Sequence, residues 1–394
     1  MARITLRKGR VQPVWAGHPW VFAQAIERLD GAPAPGDAVE VVDPKGKHLG
    51  RGFWSPDSAI PVRLITRDED EALDDAALIR RLERARARRQ RLGIPDAGSD
   101  AYRLVHAEGD ELPGLVVDVY RDVAVVQLLT QGMKRRQDVI VGTVARVANV
   151  HVVAEARGGR MQEKEGIEVE PRIVRGPDRQ QLRFRERGFE FEIELGLAQK
   201  TGFYFDQRDN RAMVEQLARG RRVLDLYSYV GPFALAAARG GASAVHAFEK
   251  NAAVVSEAAV IAAKNGLGDK IDFARQDVKN ALTKLAQDGE RYDLAIVDPP
   301  KLAPTARHLE RARSAYRRLN GQVMGLMKPG GIVASCSCSA AMRPEELIRA
   351  LALAARDVGR SARLLHLGQQ GMDHPVPAAF PEGRYLKCAF VEID

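Results

Sequence analysis

RRVLDLYSYVGPFALAAARGGASAVHAFEKN, residues Arg221 to Asn251, is the stretch whose reading decides the fold. A short apolar run, Val223 to Leu226, leads into a turn containing Gly231. An alanine-rich segment with helical spacing follows, and a second apolar run closes on Glu249. Strand, loop, helix, strand and terminal acid make the first half of a nucleotide-binding βαβ unit. The glycine lets backbone approach a ligand, the helix N-terminus offers unpaired N–H groups, and the acid accepts hydrogen bonds from ribose hydroxyls. Gly231 stands alone where a dinucleotide fingerprint has G-x-G-x-x-G. The loop therefore suits an adenosine-containing ligand without phosphates better than a pyrophosphate.

Downstream of Gln207 the same alternation continues. Strand-like runs at Ala244 to Glu249, Ile271 to Arg275, Leu294 to Val297 and Gly331 to Cys336 are separated by helical segments at Phe233 to Arg239, Ala252 to Asn265, His308 to Met327 and Pro344 to Ala355. Two further strands lie near Ala362 to His366 and Tyr385 to Ile393. A βαβα series predicts an α/β fold, a mostly parallel sheet with helices on both faces and its ligand site outside the carboxyl ends of the strands. Asp225, Glu249, Asp277, Asp298 and Cys338 all fall at or just past such ends.

Upstream the pattern differs. Residues 1 to about 68 read as a small β domain, with runs at Ala38 to Val42, Lys47 to Phe53 and Ala59 to Ile65 and turns at Asp43 to Gly46 and Ser55 to Ser58. GHPWVF, Gly17 to Phe22, sets aromatics beside Pro and Gly and reads as core packing rather than a base-stacking surface. From Glu71 to Leu92 a helix is expected, with Leu78, Leu82, Ala85 and Leu92 on one face. Arg80, Arg81, Arg84, Arg86, Arg88 and Arg91 crowd the other, as a solvated face or an RNA-backbone contact. After a linker at Pro95 to Asp100 the chain is mostly strand-like to Leu195. It ends in a hairpin around Gly188 whose first strand presents Arg183, Arg185 and Arg187 as a second basic surface.

The 394 residues suffice for two or three domains, and 45% hydrophobic residues give each a core. The net charge of +8 is modest, but clustered arginines suit a polyanionic partner; a general preference for Arg over Lys is the plainer account. Three cysteines, Cys336, Cys338 and Cys388, supply neither a disulfide framework nor a zinc site, and eight scattered histidines lack metal-ligand spacing, so no metal is expected. MARITLRKGR has no apolar signal region and no long apolar run follows, so a cytoplasmic protein without membrane contact is expected.

Three stretches carry chemistry. In DLAIVDPPKLA, Asp293 to Ala303, an apolar strand delivers Asp298 and Pro299–Pro300 hold the backbone extended beyond it. Lys301 follows where enzymes that methylate exocyclic amines usually place a base-stacking aromatic, which turns the reading away from N-methylation. In GIVASCSCSAAM, Gly331 to Met342, a buried strand runs out into two cysteines, of which Cys338 lies nearest the loop and reads as a nucleophile and Cys336 as packing. A thiolate added to carbon 6 of cytosine makes carbon 5 an enamine carbon able to attack a sulfonium methyl, with an acid at N3 stabilising the developing charge. QKTGFYFDQRDNR, Gln199 to Arg211, could cap the adenosine site or position a base. Cys388 reads as core.

In combination these residues resemble a known family, the bacterial large-subunit ribosomal RNA cytosine-5 methyltransferases of the methyltransferase I type. The resemblance runs from GHPWVF through KTGFYFDQRDNR, the Asp225 to Phe233 loop, DPPK and SCS to HPVPAAFPEGRYLK, His374 to Lys387. It implies a PUA RNA-binding domain over residues 1–70, a linker helix and central β-rich domain over 71–195, and a Rossmann-like class I domain using S-adenosylmethionine over 196–394. It places Asp206, Gln207 and Arg208 near the cofactor, and Asp225, Ser228, Gly231 and Phe233 along its loop. Glu249 falls at the ribose and Asp277 at the adenine. Asp298 becomes the acid at the base and Cys338 the nucleophile. Lys301 and the hairpin residues Arg183 and Arg185 are the expected substrate contacts. SCSA with Ala340 replaces the usual SCSG, and no second cysteine stands beside the diproline, so the acceptor of the carbon 5 proton is open between Cys336 and a water.

The expected function is thus methylation of carbon 5 of a cytosine in 23S ribosomal RNA through a covalent cysteine adduct, with room for a homodimer. The alternatives are methylation at another position, such as a guanine nitrogen, and a non-catalytic RNA-binding ribosome assembly factor.

Overall fold

The computed structural model describes residues 1–197, 201–302 and 308–394. Gln199, Lys200 and Ala303, named above within motifs, lie outside the described residues. By contacts the chain forms two compact units: Met1–Phe205 with Met372–Gly383, and Asp206–Gly371 with Arg384–Asp394.

The first unit opens with β1 (Ala2–Leu6), β2 (Trp20–Val21), β3 (Ile26–Asp30), β4 (Ala38–Val42), β5 (His48–Trp54) and β6 (Val62–Thr66), in the order β2-β6-β5-β4-β1-β3. Alternating residues Ile4, Leu6, Val39, Val41, Val62 and Leu64 fill its core. The turn between β4 and β5 forms because Asp43 Oδ1 accepts the N–H groups of Lys45 and Lys47 and Gly46 takes a φ of +83°. GHPWVF is packing, as expected: Trp20 donates to Glu108 Oε1 at 2.7 Å and its ring meets Phe380 at 4.7 Å.

The helix Asp75–Arg91, capped by Asp74, packs with a helix at Gln137–Ala148 on a sheet of β7 (Ala101–His106), β8 (Leu115–Tyr120), β9 (Val123–Leu128), β10 (Val152–Glu155) and β11 (Arg172–Arg175). β12 (Gln181–Glu186) and β13 (Phe189–Glu194) form the expected hairpin, over a cluster of Phe184, Phe191, Phe203 and Phe205.

The two arginine surfaces differ from expectation. Arg81 and Arg89 are buried, because helical spacing sets both on the Leu78, Leu82 and Ala85 face. Arg80 and Arg81 pair with Glu71, Arg84 with Glu111, and Arg88 and Arg89 with Asp110. On the hairpin Arg183 stands opposite Glu192 and Arg185 opposite Glu190, so the strand-to-strand register neutralises most of that charge.

The second unit holds β14 (Arg222–Leu226), β15 (Ala244–Glu249), β16 (Ile271–Arg275), β17 (Tyr292–Val297), β18 (Met327–Ser337), β19 (Ala362–Gly368) and β20 (Lys387–Ile393). Their order is β16-β15-β14-β17-β18-β20-β19, parallel up to β18 and antiparallel at β20. The helices Val278–Gln287, Leu309–Gly325 and Pro344–Asp357 bury Leu282, Tyr316, Met324 and Leu351 against the sheet. The chain starts at β14, builds outward to β16, then returns to β17 beside β14. That reversal opens a crevice at the carboxyl ends of β14 and β17.

Candidate active site

Leu226 ends β14, and the loop after it is tightly wound: Tyr227, Tyr229 and Gly231 take φ values of 63°, 51° and 79°. Two tyrosines in the left-handed region mark a backbone held against its preference by its surroundings. Ser228 N–H donates to Phe248 O, Gly231 N–H to Ser228 O, and Pro232 starts the helix Pro232–Arg239. A Cβ on Gly231 would lie 2.7 Å from the Phe273 ring, so glycine is required for space as well as for φ.

Asp225 lies beneath this loop, fully buried. Burial first, and then the charge of Asp298, push its carboxyl well above the usual range, while the Ala234 N–H opposes the shift. Part of the helix N-terminus is thus taken by Asp225. Asp225 Oδ2 and Ser228 Oγ are buried without a hydrogen-bond partner among the described residues. A buried carboxylate oxygen in that state suits a ligand that brings donors and positive charge. A pyrophosphate would set negative charge against Asp225, Asp298 and Glu249.

Glu249 closes β15 and takes the N–H groups of Lys250 and Asn251 on Oε1. Asp277, just past β16, caps the helix Val278–Gln287 by accepting Lys279 N–H, and its charge acts on the Tyr227 phenol. Asp206 accepts the Tyr385 hydroxyl at 2.7 Å, and Gln207 Nε2 donates to Asp298 Oδ2 at 3.0 Å. Arg208 is the first residue of the helix Arg208–Leu217, and Phe233 is buried in the helix after the loop.

Val297 of β17 lies opposite Ser335 of β18 in a parallel register. Asp298 and the sequence Cys336–Ser337–Cys338 therefore leave neighbouring strands at one edge. Cys338 is half-buried and acts electrostatically, with Asp298 and Cys336, on the buried Tyr316 phenol, whose pKa burial raises. Cys336 is fully buried, its Sγ donates to Cys388 Sγ at 3.1 Å, and burial pushes its thiol well up. It stays a neutral thiol, in keeping with a packing role.

The structure thus gathers Asp206, Gln207, Asp225, Ser228, Gly231, Phe233, Glu249, Asp277, Asp298 and Cys338 within the second unit. Lys301 is exposed near the same edge, and Arg183 and Arg185 belong to the first unit. Two residues went unread in the sequence. Tyr385 and Lys387 looked like part of an apolar terminal strand, yet Tyr385 bonds Asp206 and Lys387 is buried beside the Cys338 loop. A lone lysine at the start of an otherwise apolar strand is the signal that could have found the second. Among the described residues no group of three His, Cys, Asp or Glu could hold a metal, and no helix is long and apolar enough to cross a membrane.

Residues 102–376 match the S-adenosylmethionine-dependent methyltransferase family and residues 4–67 a PUA-like domain. The protein named ribosomal RNA large subunit methyltransferase I of Shewanella denitrificans is 37% identical over 388 residues, 98% of each chain. Its namesake in Tolumonas auensis is 36% identical over 392 residues, 98% of this chain and 97% of that one. Among solved structures, a candidate methyltransferase in complex with SAH superposes with a TM-score of 0.86 at 20% identity, and one from Streptococcus mutans with 0.84 at 19%, each over 100% of both chains. At such identities these two show the shared fold.

Proposed function

The chain belongs to the ribosomal RNA large subunit methyltransferase I family of S-adenosylmethionine-dependent methyltransferases, with a PUA-like N-terminal domain, and on that premise we propose that it methylates carbon 5 of a cytosine in 23S ribosomal RNA through a covalent adduct with Cys338. The observation that carries the reading is the β17/β18 register, which brings an acid and a thiol to one edge beside the adenosine loop.

The donor set fits S-adenosylmethionine: Asp225, Ser228, Gly231 and Phe233 with Glu249 and Asp277 would hold it, and Asp206, Gln207 and Arg208 would flank it. When bound, that cofactor supplies an electrophilic methyl group on a cationic sulfur. The protein's own part is to activate the base. Cys338 Sγ forms a bond to carbon 6 with its own electron pair, Asp298 gives a proton at N3, and carbon 5 gains the electron density of an enamine. After methylation the carbon 5 proton leaves and the electrons of that C–H bond restore the ring double bond. The pair of the S–C6 bond returns to Cys338, and N3 gives its proton back to Asp298. Cys336, kept neutral by burial and bonded to Cys388, is a poor acceptor for that proton, which leaves a water. Lys301, Arg183 and Arg185 are the proposed RNA contacts, the last two after exchanging a carboxylate for a phosphate.

Cys338→Ala is the test. It should bind S-adenosylmethionine by calorimetry, form no adduct with RNA containing 5-fluorocytosine, and transfer no methyl group. Full activity would overturn the covalent route, and digestion of methylated RNA to a nucleoside other than 5-methylcytidine would overturn the position.

A further inference from the structure

β20 is the antiparallel partner of β18, and Lys387 lies opposite Ser337, the residue before Cys338. Lys387 is 2% exposed. An ammonium this deep in a protein needs partners. Its Nζ donates to two main-chain carbonyls, Ser339 O at 2.7 Å and Tyr385 O at 2.8 Å, and neither acceptor carries a formal charge. Ser339 O also takes Met342 N–H at 3.0 Å, so the turn after Cys338 is drawn in from two sides.

We infer that Lys387 is a positioning residue for the reaction: its ammonium holds Cys338 as a thiolate, and its bond to Ser339 O sets the turn that presents the sulfur. The inference rests on Cys338 being the nucleophile. The need for it follows from the charges at the strand edge. Asp298, at the end of β17, offers no positive charge, and when ionised it would repel a thiolate on the neighbouring strand and so favour the unreactive thiol. Cys336 on β18 and Tyr316 on the helix Leu309–Gly325 are neutral, and Lys301 is exposed to solvent. Among the described residues Lys387 is a buried cation that reaches this edge from β20. Charge on Cys338 favours the ammonium, whereas burial, the largest influence, lowers its pKa to about 8 and Lys301 opposes it further. Coupling is reciprocal, so an ammonium favoured by the thiolate favours the thiolate equally. The Cys338 proton goes to solvent, Lys387 keeps its own protons, and the sulfur electron pair is free to form the bond to carbon 6.

The test is the pH dependence of Cys338 alkylation by iodoacetamide in the full-length protein, followed by mass spectrometry of the Cys338 peptide. In the wild type the half-maximal rate should fall below the ordinary thiol value of about 8.5. Lys387→Met should raise it by about one to two units, and Lys387→Arg should restore most of the shift. Lys387→Gln keeps a donor for Ser339 O without the charge; it should behave like Lys387→Met, and it is the variant to read if Lys387→Met does not fold. A wild-type midpoint at the ordinary value, or neutral variants that leave it unmoved, would overturn the inference. Because alkylation needs no RNA, these outcomes are separate from failure of the nucleophile reading, which an active Cys338→Ala would signal.

Discussion

Gln207 Nε2 donates to Asp298 Oδ2 at 3.0 Å, while Gln207 Oε1 accepts Asn210 Nδ2 at 2.6 Å, so the amide orientation is set and one oxygen of Asp298 is engaged. A hydrogen bond to a charged group contributes roughly 1.5–3 kcal/mol. Gln207→Ala should lower kcat/KM for methyl transfer by about tenfold or more. Gln207→Glu sets a second carboxylate against the first, and like charges raise a carboxyl pKa. The limb of the pH–rate profile due to Asp298 should then move to higher pH; an unmoved limb would separate Asp298 from proton donation at N3.

Asp225→Asn should raise stability and weaken cofactor binding together. The Asp225 carboxyl is raised in the folded protein, so the folded state keeps this proton to a higher pH than the unfolded chain. Stability therefore falls as pH rises from about 4 through the folded value, and at neutral pH the cofactor-free protein bears that penalty. The variant should melt higher than wild type at neutral pH, with the difference gone near pH 4 by calorimetry. Its affinity for S-adenosylmethionine should drop at least about tenfold, a loss typical of a removed charged hydrogen bond.

Gly231→Ala combines a left-handed backbone, strained by about 1–2 kcal/mol for a residue with a Cβ, with a 2.7 Å approach to Phe273. Cofactor affinity should fall about tenfold. Phe273→Leu in the same chain should recover the part due to the ring and leave the part due to φ. Calorimetric titration of both variants measures the two contributions.

Arg89 and Arg84 sit five residues apart on one helix and should differ sharply. Arg89 is fully buried, pairing with Asp110 at 2.5 and 2.8 Å and donating to Asp373 O at 2.7 Å. Arg84 meets Glu111 with both side chains more than half exposed. Arg89→Met should destabilise the protein by about 3–5 kcal/mol, because Asp110 loses its buried partner. Arg84→Met should stay within about 1 kcal/mol. Urea denaturation measures both, and similar losses would contradict the burial of Arg89.

Much of the second unit was legible because its apolar runs are short, β-rich and bounded by breakers. The runs Ala244 to Glu249 and Ile271 to Arg275 match β15 and β16 end for end. The helix Gln137–Ala148 was not, since Val139, Ile140, Val141, Thr143, Val144 and Val147 favour a strand by propensity. It is helical because its apolar stripe packs on the helix Asp75–Arg91, and tertiary contact outweighs a local preference worth a few tenths of a kcal/mol per residue. Arg81 was misplaced for a different reason. Its helical spacing pointed inward, and its charge suggested solvent; Glu71, which precedes the helix, made the inward position tolerable, as Asp110 did for Arg89.

The βαβ half at Arg221 to Asn251, the acid before the diproline and the cysteine at the next strand end were determined by the sequence alone, because each depends on local pattern: strand length, a glycine with positive φ, prolines that stop a strand. Only the tertiary structure decided what those groups do to one another. Asp225 lost its solvent, Gln207 turned toward Asp298, the hairpin arginines met glutamates across the register, and Lys387 came to lie beside the Cys338 turn. Burial and cross-strand neighbours set charge states, and neither can be read along a single chain.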